Sequence, residues 1–110
     1  RHMFNMDKFR IMKKTAVVIN IARGPVVKED DLIRALQTGE IGGAALDAVE
    51  EEPLSSDSPL WDMDNVIITP HCAADSKLYI DRAIAQFCEN LKLYEAGKPL
   101  LNEIDMKQRY

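Results

Sequence analysis

A short apolar run rich in β-branched residues constrains the fold of this chain more than any other feature. Residues Thr15–Ala22 read TAVVINIA, and Arg23-Gly24-Pro25 ends the run abruptly. A run this short and nearly continuous is typical of a strand that is buried on both faces of a parallel sheet. The sequence therefore predicts a strand at Thr15–Ala22 that helices cover on either side.

Strands and helices alternate along the rest of the chain. Two more strands are predicted at Ile41–Val49 and Asn65–Thr69, with a polar loop over Glu50–Asp64 between them. The predicted helices cover residues 5–12, Glu29–Thr38 and Ser76–Glu95. Alternation of this kind predicts an α/β fold, a parallel sheet of three strands that corresponds to half of a doubly wound domain and keeps an open edge.

The last predicted helix carries a stripe of large apolar residues at helical spacing, which predicts a face that packs in the core. Its members are Ile80, Ile84, Phe87, Leu91 and Tyr94. With 110 residues the chain has room for one domain and not for two.

Net charge and hydropathy argue against two classes of partner. The formal charge is −4 at pH 7 and the sequence pI is about 5.1. Affinity for nucleic acid comes largely from lysine and arginine on phosphates, so nucleic acid is not an expected partner. The longest apolar stretch, Ala16–Ala22, is too short to cross a membrane, and residues 1–15 lack the apolar segment of a secretory signal.

The two cysteines, Cys72 and Cys88, stand sixteen positions apart without a CxxC pair. A zinc site needs more closely spaced ligands, so no metal site is predicted. The simplest interpretation is two reduced thiols in a cytoplasmic protein.

Arg23, Asp47 and His71 each stand at, or just beyond, the carboxyl end of a predicted strand. In open α/β sheets, ligands bind in the crevice outside those ends, so the three side chains are predicted to share one site. Chance placement is the alternative.

Each of these side chains also has a plain structural interpretation. His71 suits a general acid or base near neutral pH, or forms a hydrogen bond at a strand end. The guanidinium fork of Arg23 matches a carboxylate, or forms a salt bridge to a loop. Asp47 ends an apolar strand, where it acts in the site or binds backbone amides at a helix end.

Side chains of the intervening loop are mostly expected to be structural. Glu50-Glu51-Glu52 is expected to be solvated, although one carboxylate can pair with the histidine and orient it. Trp61 and Met63 are interpreted as packing residues, and His2 as a surface side chain.

Several motifs in order resemble the D-isomer-specific 2-hydroxyacid dehydrogenases. The resemblance covers roughly residues 3 to 104. Its motifs are Asn20-Ile21-Ala22-Arg23-Gly24, Gly43-Ala44-Ala45-Leu46-Asp47, Glu52-Pro53-Leu54 and Asn65-Val66-Ile67-Ile68-Thr69-Pro70-His71.

The resemblance implies a role for five residues. Arg23 matches the arginine that binds the substrate carboxylate, and His71 matches the acid–base histidine. Glu52 matches the carboxylate paired with that histidine. Asp47 matches the aspartate near the nicotinamide carboxamide, and Ala22 lies where family members line the nicotinamide pocket. Arg23 and His71 thus contact both cofactor and substrate.

The resemblance also implies a Rossmann-like coenzyme domain, of which residues 1–98 are the C-terminal half. Residues 99–110 match the tail that returns toward the substrate domain in the family. The implied reaction is hydride transfer between NAD or NADP and a small 2-hydroxy or 2-oxo acid. The implied assembly is a homo-oligomer, most simply a dimer.

One departure from the family pattern is large. The chain has no Gly-x-Gly-x-x-Gly turn, which cradles the pyrophosphate of the cofactor. It therefore carries the acid–base half of an active site without the dinucleotide fingerprint. The alternative function is a non-catalytic module that self-associates through exposed sheet edges and apolar faces.

Overall fold

The computed structural model describes residues 1–107. Two separate compact units are present: the first is Arg1–Ala73, and the second begins at Ala74. The predicted boundary between residues 98 and 99 concerns the domains of a longer protein and stays a prediction.

The first unit contains the predicted parallel sheet. Its strands are β1 (Val17–Asn20), β2 (Gly43–Leu46) and β3 (Val66–Ile68), in the order β1-β2-β3. All pairs are parallel, which confirms the predicted α/β fold. The strands are shorter than predicted. At the end of β1 the backbone oxygen of Asn20 accepts both the Asp47 and the Ala48 amide, and this shared bond ends the regular ladder.

Three α-helices form where the sequence predicts them: α1 (Met6–Arg10), α2 (Glu29–Gln37) and α3 (Tyr79–Glu95). Asn5 caps α1 by accepting the Lys8 amide, and Gly39 follows α2 in the left-handed region with φ of 67°. Two 3-10 helices, Gly24–Val26 and Pro59–Asp62, add structure to the predicted loops.

The core of the first unit lies between one face of the sheet and helices α1 and α2. Its largest fully buried side chains are Phe9, Leu32, Ile41 and Leu60. The other face of the sheet is open, since Val17, Ile19 and Ile67 are 56%, 68% and 66% exposed. The prediction that β1 is buried on both faces is therefore wrong for this chain, because no element of the first unit covers the second face.

The prediction that the apolar stripe of α3 packs in a core is also wrong here. No residue of α3 is buried. Within the described part of the second unit, α3 is the only helix, and one helix cannot enclose its own apolar face. No helix of residues 1–107 is both long and apolar enough to cross a membrane.

Asp31 joins helices α1 and α2 and makes the first unit sensitive to acid. Its carboxylate accepts the Met6 amide at 3.1 Å and contacts the Lys28 Nζ at 3.3 Å and an Arg34 guanidinium nitrogen at 3.2 Å. The Met6 amide is the main cause that lowers the pKa of Asp31 below its ordinary 3.8. The resulting stabilisation is therefore present above pH 3.8 and is lost as the pH falls through the folded-state pKa.

We expect Asp31→Asn to lower the Tm of the chain near neutral pH by roughly 4–8 °C, the shift that follows from losing a charge-assisted hydrogen bond in a small domain. The difference from the wild type should shrink as the pH falls below 3.8 and vanish below the folded-state pKa of Asp31, where both side chains are neutral. Thermal unfolding at several pH values, followed by circular dichroism, measures both effects. Asp7→Asn, at an exposed position of α1, is the control. A Tm difference that persists in acid would contradict this account.

Candidate active site

His71 and Glu52 form a hydrogen-bonded pair just beyond the carboxyl end of β3. The His71 Nδ1 lies 2.8 Å from one Glu52 carboxylate oxygen and 3.0 Å from the other. A carboxylate can only accept, so Nδ1 carries a proton, and Nε2 is left to exchange a proton with a ligand. Both side chains remain partly exposed, at 46% and 41%, so a small molecule can reach them.

Asp47 holds the turn that carries His71. Its carboxylate accepts the Thr69 hydroxyl at 2.6 Å and the backbone amides of Cys72 and Ala73, both at 2.8 Å. His71 has a φ of 53°, in the left-handed region that side chains other than glycine adopt uncommonly. Two of the bonds to buried Asp47 hold the backbone that follows this unusual residue, and the third holds the Thr69 side chain two residues before it.

Both carboxylates favour the ionised form. The hydroxyl of Thr69 is the main cause that lowers the pKa of Asp47, with help from the Ala73 and Cys72 amides. The imidazole of His71 is the main cause that lowers the pKa of Glu52. Two anionic side chains of the segment after β2 therefore lie near the histidine at neutral pH.

Arg23 lies at the same edge of the sheet, after β1, and is exposed. Its guanidinium donates to the backbone oxygen of Ala22 at 2.7 Å, and within residues 1–107 it forms no salt bridge to a loop. The charged fork is thus free for a ligand. Glu52 binds the His71 ring and Asp47 binds the turn that carries His71, but the structure gives no direct bond between Arg23 and these residues.

A cleft of about 450 Å³ opens beside the histidine. Apolar side chains form most of its wall, and carboxylate, hydroxyl and imidazole groups lie at its rim. The apolar residues are Val49, Pro53, Leu54, Trp61, Ile68 and Pro70, and the polar residues are Asp47, Glu52, Thr69 and His71. An apolar cleft with a few convergent polar groups is the usual form of a small-molecule site.

A comparison with known families identifies the family of the first unit. The model of the D-isomer specific 2-hydroxyacid dehydrogenase NAD binding domain matches residues 1–73. The chain belongs to this family. The matched range ends at the residue where the first compact unit ends.

Relatives in this dehydrogenase family are longer proteins. Glyoxylate/hydroxypyruvate reductase B from Cronobacter sakazakii is 45% identical over 106 residues, which span 83% of this chain and 33% of the reductase. An uncharacterised protein from Corynebacterium melassecola is 42% identical, over 96% of this chain and 35% of its own length. The chain therefore spans about a third of the length of these curated relatives.

Solved dehydrogenase structures share the fold. A D-isomer specific 2-hydroxyacid dehydrogenase from Xanthobacter autotrophicus, in complex with NADPH and MES, superposes with a TM-score of 0.90 and is 44% identical. The match covers all of this chain and 45% of that one. An NADPH-dependent glyoxylate/hydroxypyruvate reductase from Sinorhizobium meliloti gives a TM-score of 0.89 at 36% identity, over 100% of this chain and 36% of that one.

Two structural interpretations made from the sequence need correction. Glu50 is not a solvated loop residue: its carboxylate contacts the His2 ring and accepts the Glu29 amide at 3.1 Å. His2 is accordingly a partner of the loop after β2 and not a plain surface residue. The His2 ring is the main cause that lowers the pKa of Glu50, whereas burial raises the pKa of Glu29.

Trp61 and Met63 differ, although both were interpreted as packing residues. Met63 packs against the core. Trp61 is 53% exposed, lines the cleft and donates from Nε1 to the Ser55 backbone oxygen at 2.8 Å. Cys72 and Cys88 are both free. Within residues 1–107 no group of three or more potential ligands is placed to hold a metal ion.

Two residues that hydrogen-bond to the loops at this edge had no role assigned from the sequence. Asn20 is buried and hydrogen-bonds to the loops after β1 and β2, and Thr69 donates to Asp47. Asn20 gave one usable signal, since a lone amide in an otherwise apolar strand must find partners. Thr69 gave none, because threonine at a strand end is ordinary.

Proposed function

We propose that this chain supplies the acid–base and carboxylate-binding half of the active site of an NAD(P)-dependent oxidoreductase. The reaction is hydride transfer between the nicotinamide and a small 2-oxo or 2-hydroxy acid. The observation that carries the proposal is the Glu52–His71 pair, in which both carboxylate oxygens lie within 3.0 Å of Nδ1 beside an open cleft. Family membership and the printed activities of the relatives support it.

His71 is the proton donor and acceptor. Because Glu52 binds Nδ1, the proton exchanged with substrate is the one on Nε2. In reduction, Nε2 gives this proton to the oxygen of the 2-oxo group, which becomes a hydroxyl. In oxidation, Nε2 takes the hydroxyl proton. Glu52 stabilises the imidazolium that forms and holds the ring in one orientation.

Arg23 binds the substrate carboxylate. A guanidinium and a carboxylate match as two parallel hydrogen bonds, so Arg23 fixes both the position and the orientation of the acid. Since the side chain is exposed and charged, binding the acid requires no prior break of a salt bridge in the described chain. Because Arg23 and His71 lie at the same edge of the sheet, binding by Arg23 also fixes how the substrate is oriented relative to His71.

The residues at this edge fit the nicotinamide end of the cofactor. Three donors occupy the Asp47 carboxylate, which can accept about four, so one acceptor position remains for a carboxamide N–H. Ala22 leaves room beside Arg23 for the ring. When bound, the nicotinamide supplies or accepts the hydride. The five glycines include no Gly-x-Gly-x-x-Gly turn, so this chain does not hold the pyrophosphate.

Location and assembly form part of the proposal. Two free cysteines fit a reducing compartment, which supports the cytoplasm. Self-association is the second candidate function, and a specific observation favours it: the apolar sheet face at Val17, Ile19 and Ile67 and the apolar stripe of α3 are exposed. A dimer is the simplest assembly that covers such surfaces.

A hybrid enzyme tests the oxidoreductase proposal. The hybrid joins the amino-terminal part of the Cronobacter sakazakii glyoxylate/hydroxypyruvate reductase B to this chain, at the point where their similarity begins. We expect the hybrid to oxidise NADPH when glyoxylate or hydroxypyruvate is added, because the two parts together complete the site. The amino-terminal part alone is the control and should be inactive. A folded hybrid that binds NADPH without turnover would overturn the proposal.

A second measurement separates the two candidate functions on the chain itself. NADH is titrated while the fluorescence of Trp61, the only tryptophan, is recorded. Saturable quenching that Asp47→Ala removes, and that the surface substitution Asp7→Ala does not, would support a nicotinamide site. Sedimentation velocity over a range of concentrations measures self-association. A stable dimer with no quenching and an inactive hybrid would favour the interaction module.

A further inference from the structure

We infer that Asn20 is a positioning residue for Arg23 in the proposed reaction. The inference rests on the proposed function and concerns one buried amide, which is 4% exposed. The Asn20 Nδ2 donates to the backbone oxygens of Arg23, at 3.2 Å, and of Ala48, at 2.9 Å. Its Oδ1 accepts the Ala22 amide at 3.2 Å. One side chain thus binds the loop that carries Arg23 at two points and joins this loop to the end of β2.

The same residue links this loop to the histidine turn. The Asn20 backbone oxygen accepts the amides of Asp47, at 2.9 Å, and Ala48, at 3.3 Å. The Asp47 carboxylate in turn binds Thr69 and the Cys72 amide, one on each side of His71. A continuous path of hydrogen bonds therefore runs across all three strand ends, from the Arg23 backbone to the backbone around His71.

An independent contact shows that the loop after β1 fits closely against the loop after β2. A Cβ added to Gly24 would stand 1.7 Å from the Val49 backbone oxygen. Only a glycine allows this approach. Because the two loops touch at Gly24, the Asn20 bonds act within a fixed contact, and they determine where the preceding residue, Arg23, leaves the sheet.

Fold stability alone does not explain the amide. Asn20 lies opposite Leu46 in the register, and an apolar residue there would suit a buried strand. A buried amide stabilises only if its polar atoms are bonded. Within residues 1–107 no buried side-chain nitrogen or oxygen lacks a partner, and two of the three Asn20 side-chain bonds go to residues 22 and 23. Its bonds therefore serve the loop that carries Arg23.

The first test is kinetic and uses the hybrid. Asn20→Leu keeps the number of side-chain heavy atoms and the branch at Cγ, and it removes all three bonds. We expect the KM for the 2-oxo acid to rise about 10- to 100-fold, since misplaced carboxylate binding costs substrate affinity. The KM for NADPH should change less than about threefold. Thr38→Val, which removes one hydrogen bond at the distant end of α2, is the matched control. Equal changes in both KM values would overturn the inference.

A double substitution shows whether Asn20 acts through Arg23. Arg23→Gln alone should raise the KM for the acid more than Asn20→Leu does. If Asn20 works by placing Arg23, the double variant should be no worse than Arg23→Gln alone. Effects that multiply would mean that Asn20 acts independently of the arginine, and the inference would be wrong.

The second test needs no activity and is made on the chain itself. Amide hydrogen exchange is measured by NMR in the wild type and in Asn20→Leu, which has no acceptor for the Ala22 amide. We expect exchange at Ala22 to become at least about tenfold faster in this variant, with the buried Val18 amide unchanged. Unchanged exchange at Ala22 would refute the positioning role. An inactive but folded hybrid would count against the proposed function only, because this test decides the role of Asn20 separately.

Discussion

Replacing His71 by asparagine in the hybrid is expected to lower kcat for 2-oxo acid reduction by roughly 10²- to 10⁴-fold, the usual contribution of general acid catalysis. Asparagine also tolerates the left-handed backbone that His71 adopts, so the turn should survive the change. NADPH affinity should change less than about threefold, since His71 is only one of the residues that contact the cofactor. Steady-state kinetics and NADPH fluorescence titration measure the two quantities.

Two neighbouring substitutions make the His71 result specific. Glu52→Gln keeps the shape of the His71 partner but removes its charge, and we expect a smaller loss, about 10- to 100-fold. Glu51→Gln changes the charge by the same amount on an exposed residue one position away and should leave kcat within about twofold. A His71→Asn hybrid that retains more than about a tenth of the wild-type kcat would mean that another group transfers the proton.

Gly24→Ala is expected to destabilise the first unit more than Gly39→Ala does, although each substitution adds one methyl group at a glycine outside the sheet. The new Cβ would stand 1.7 Å from the Val49 backbone oxygen and 2.7 Å from the Glu50 amide nitrogen, so backbone must move. We expect the free energy of unfolding to fall by about 3 kcal/mol, the upper end of ordinary overpacking. Urea unfolding followed by Trp61 fluorescence measures it.

Gly39→Ala is the matched control for this substitution. Gly39, like Gly24, lies outside the sheet, but nothing lies within 4 Å of a Cβ added to it. Its φ of 67° makes alanine cost about 1 kcal/mol through backbone strain alone. If Gly24→Ala costs no more than Gly39→Ala, the two loops are not in close contact, and the fixed path from Arg23 to Asp47 loses its support.

The same close contact explains why the candidate site depends on backbone as much as on side chains. Arg23 and His71 are exposed, and exposed side chains are mobile unless their backbone is held. Gly24 holds the loop that carries Arg23 by close contact, and Asp47 holds the turn that carries His71 by three hydrogen bonds. Preorganisation of this kind lets binding energy go into the reaction and not into ordering the site.

Local pattern was sufficient for the order of elements and for the edge where the candidate site residues lie. Helix α2 needs only its acidic first turn, its apolar face and Gly39, and all of these are within eleven residues. The strand at Val17–Asn20 follows from its β-branched run in the same way. Parallel strands align their carboxyl ends, so Asp47 and His71 were correctly predicted at one edge.

Tertiary structure alone decided which groups touch. Asp47 binds the Cys72 amide 25 positions away, and the Glu50 carboxylate meets His2 48 positions away, and no local period records such pairs. Exposure was decided in the same way. Isoleucine is a residue type that suits a core, but whether Ile19 is buried depends on what lies over the sheet. Periodicity is a local property of the chain, whereas the contacts and burial of a residue depend on which residues are its neighbours in space.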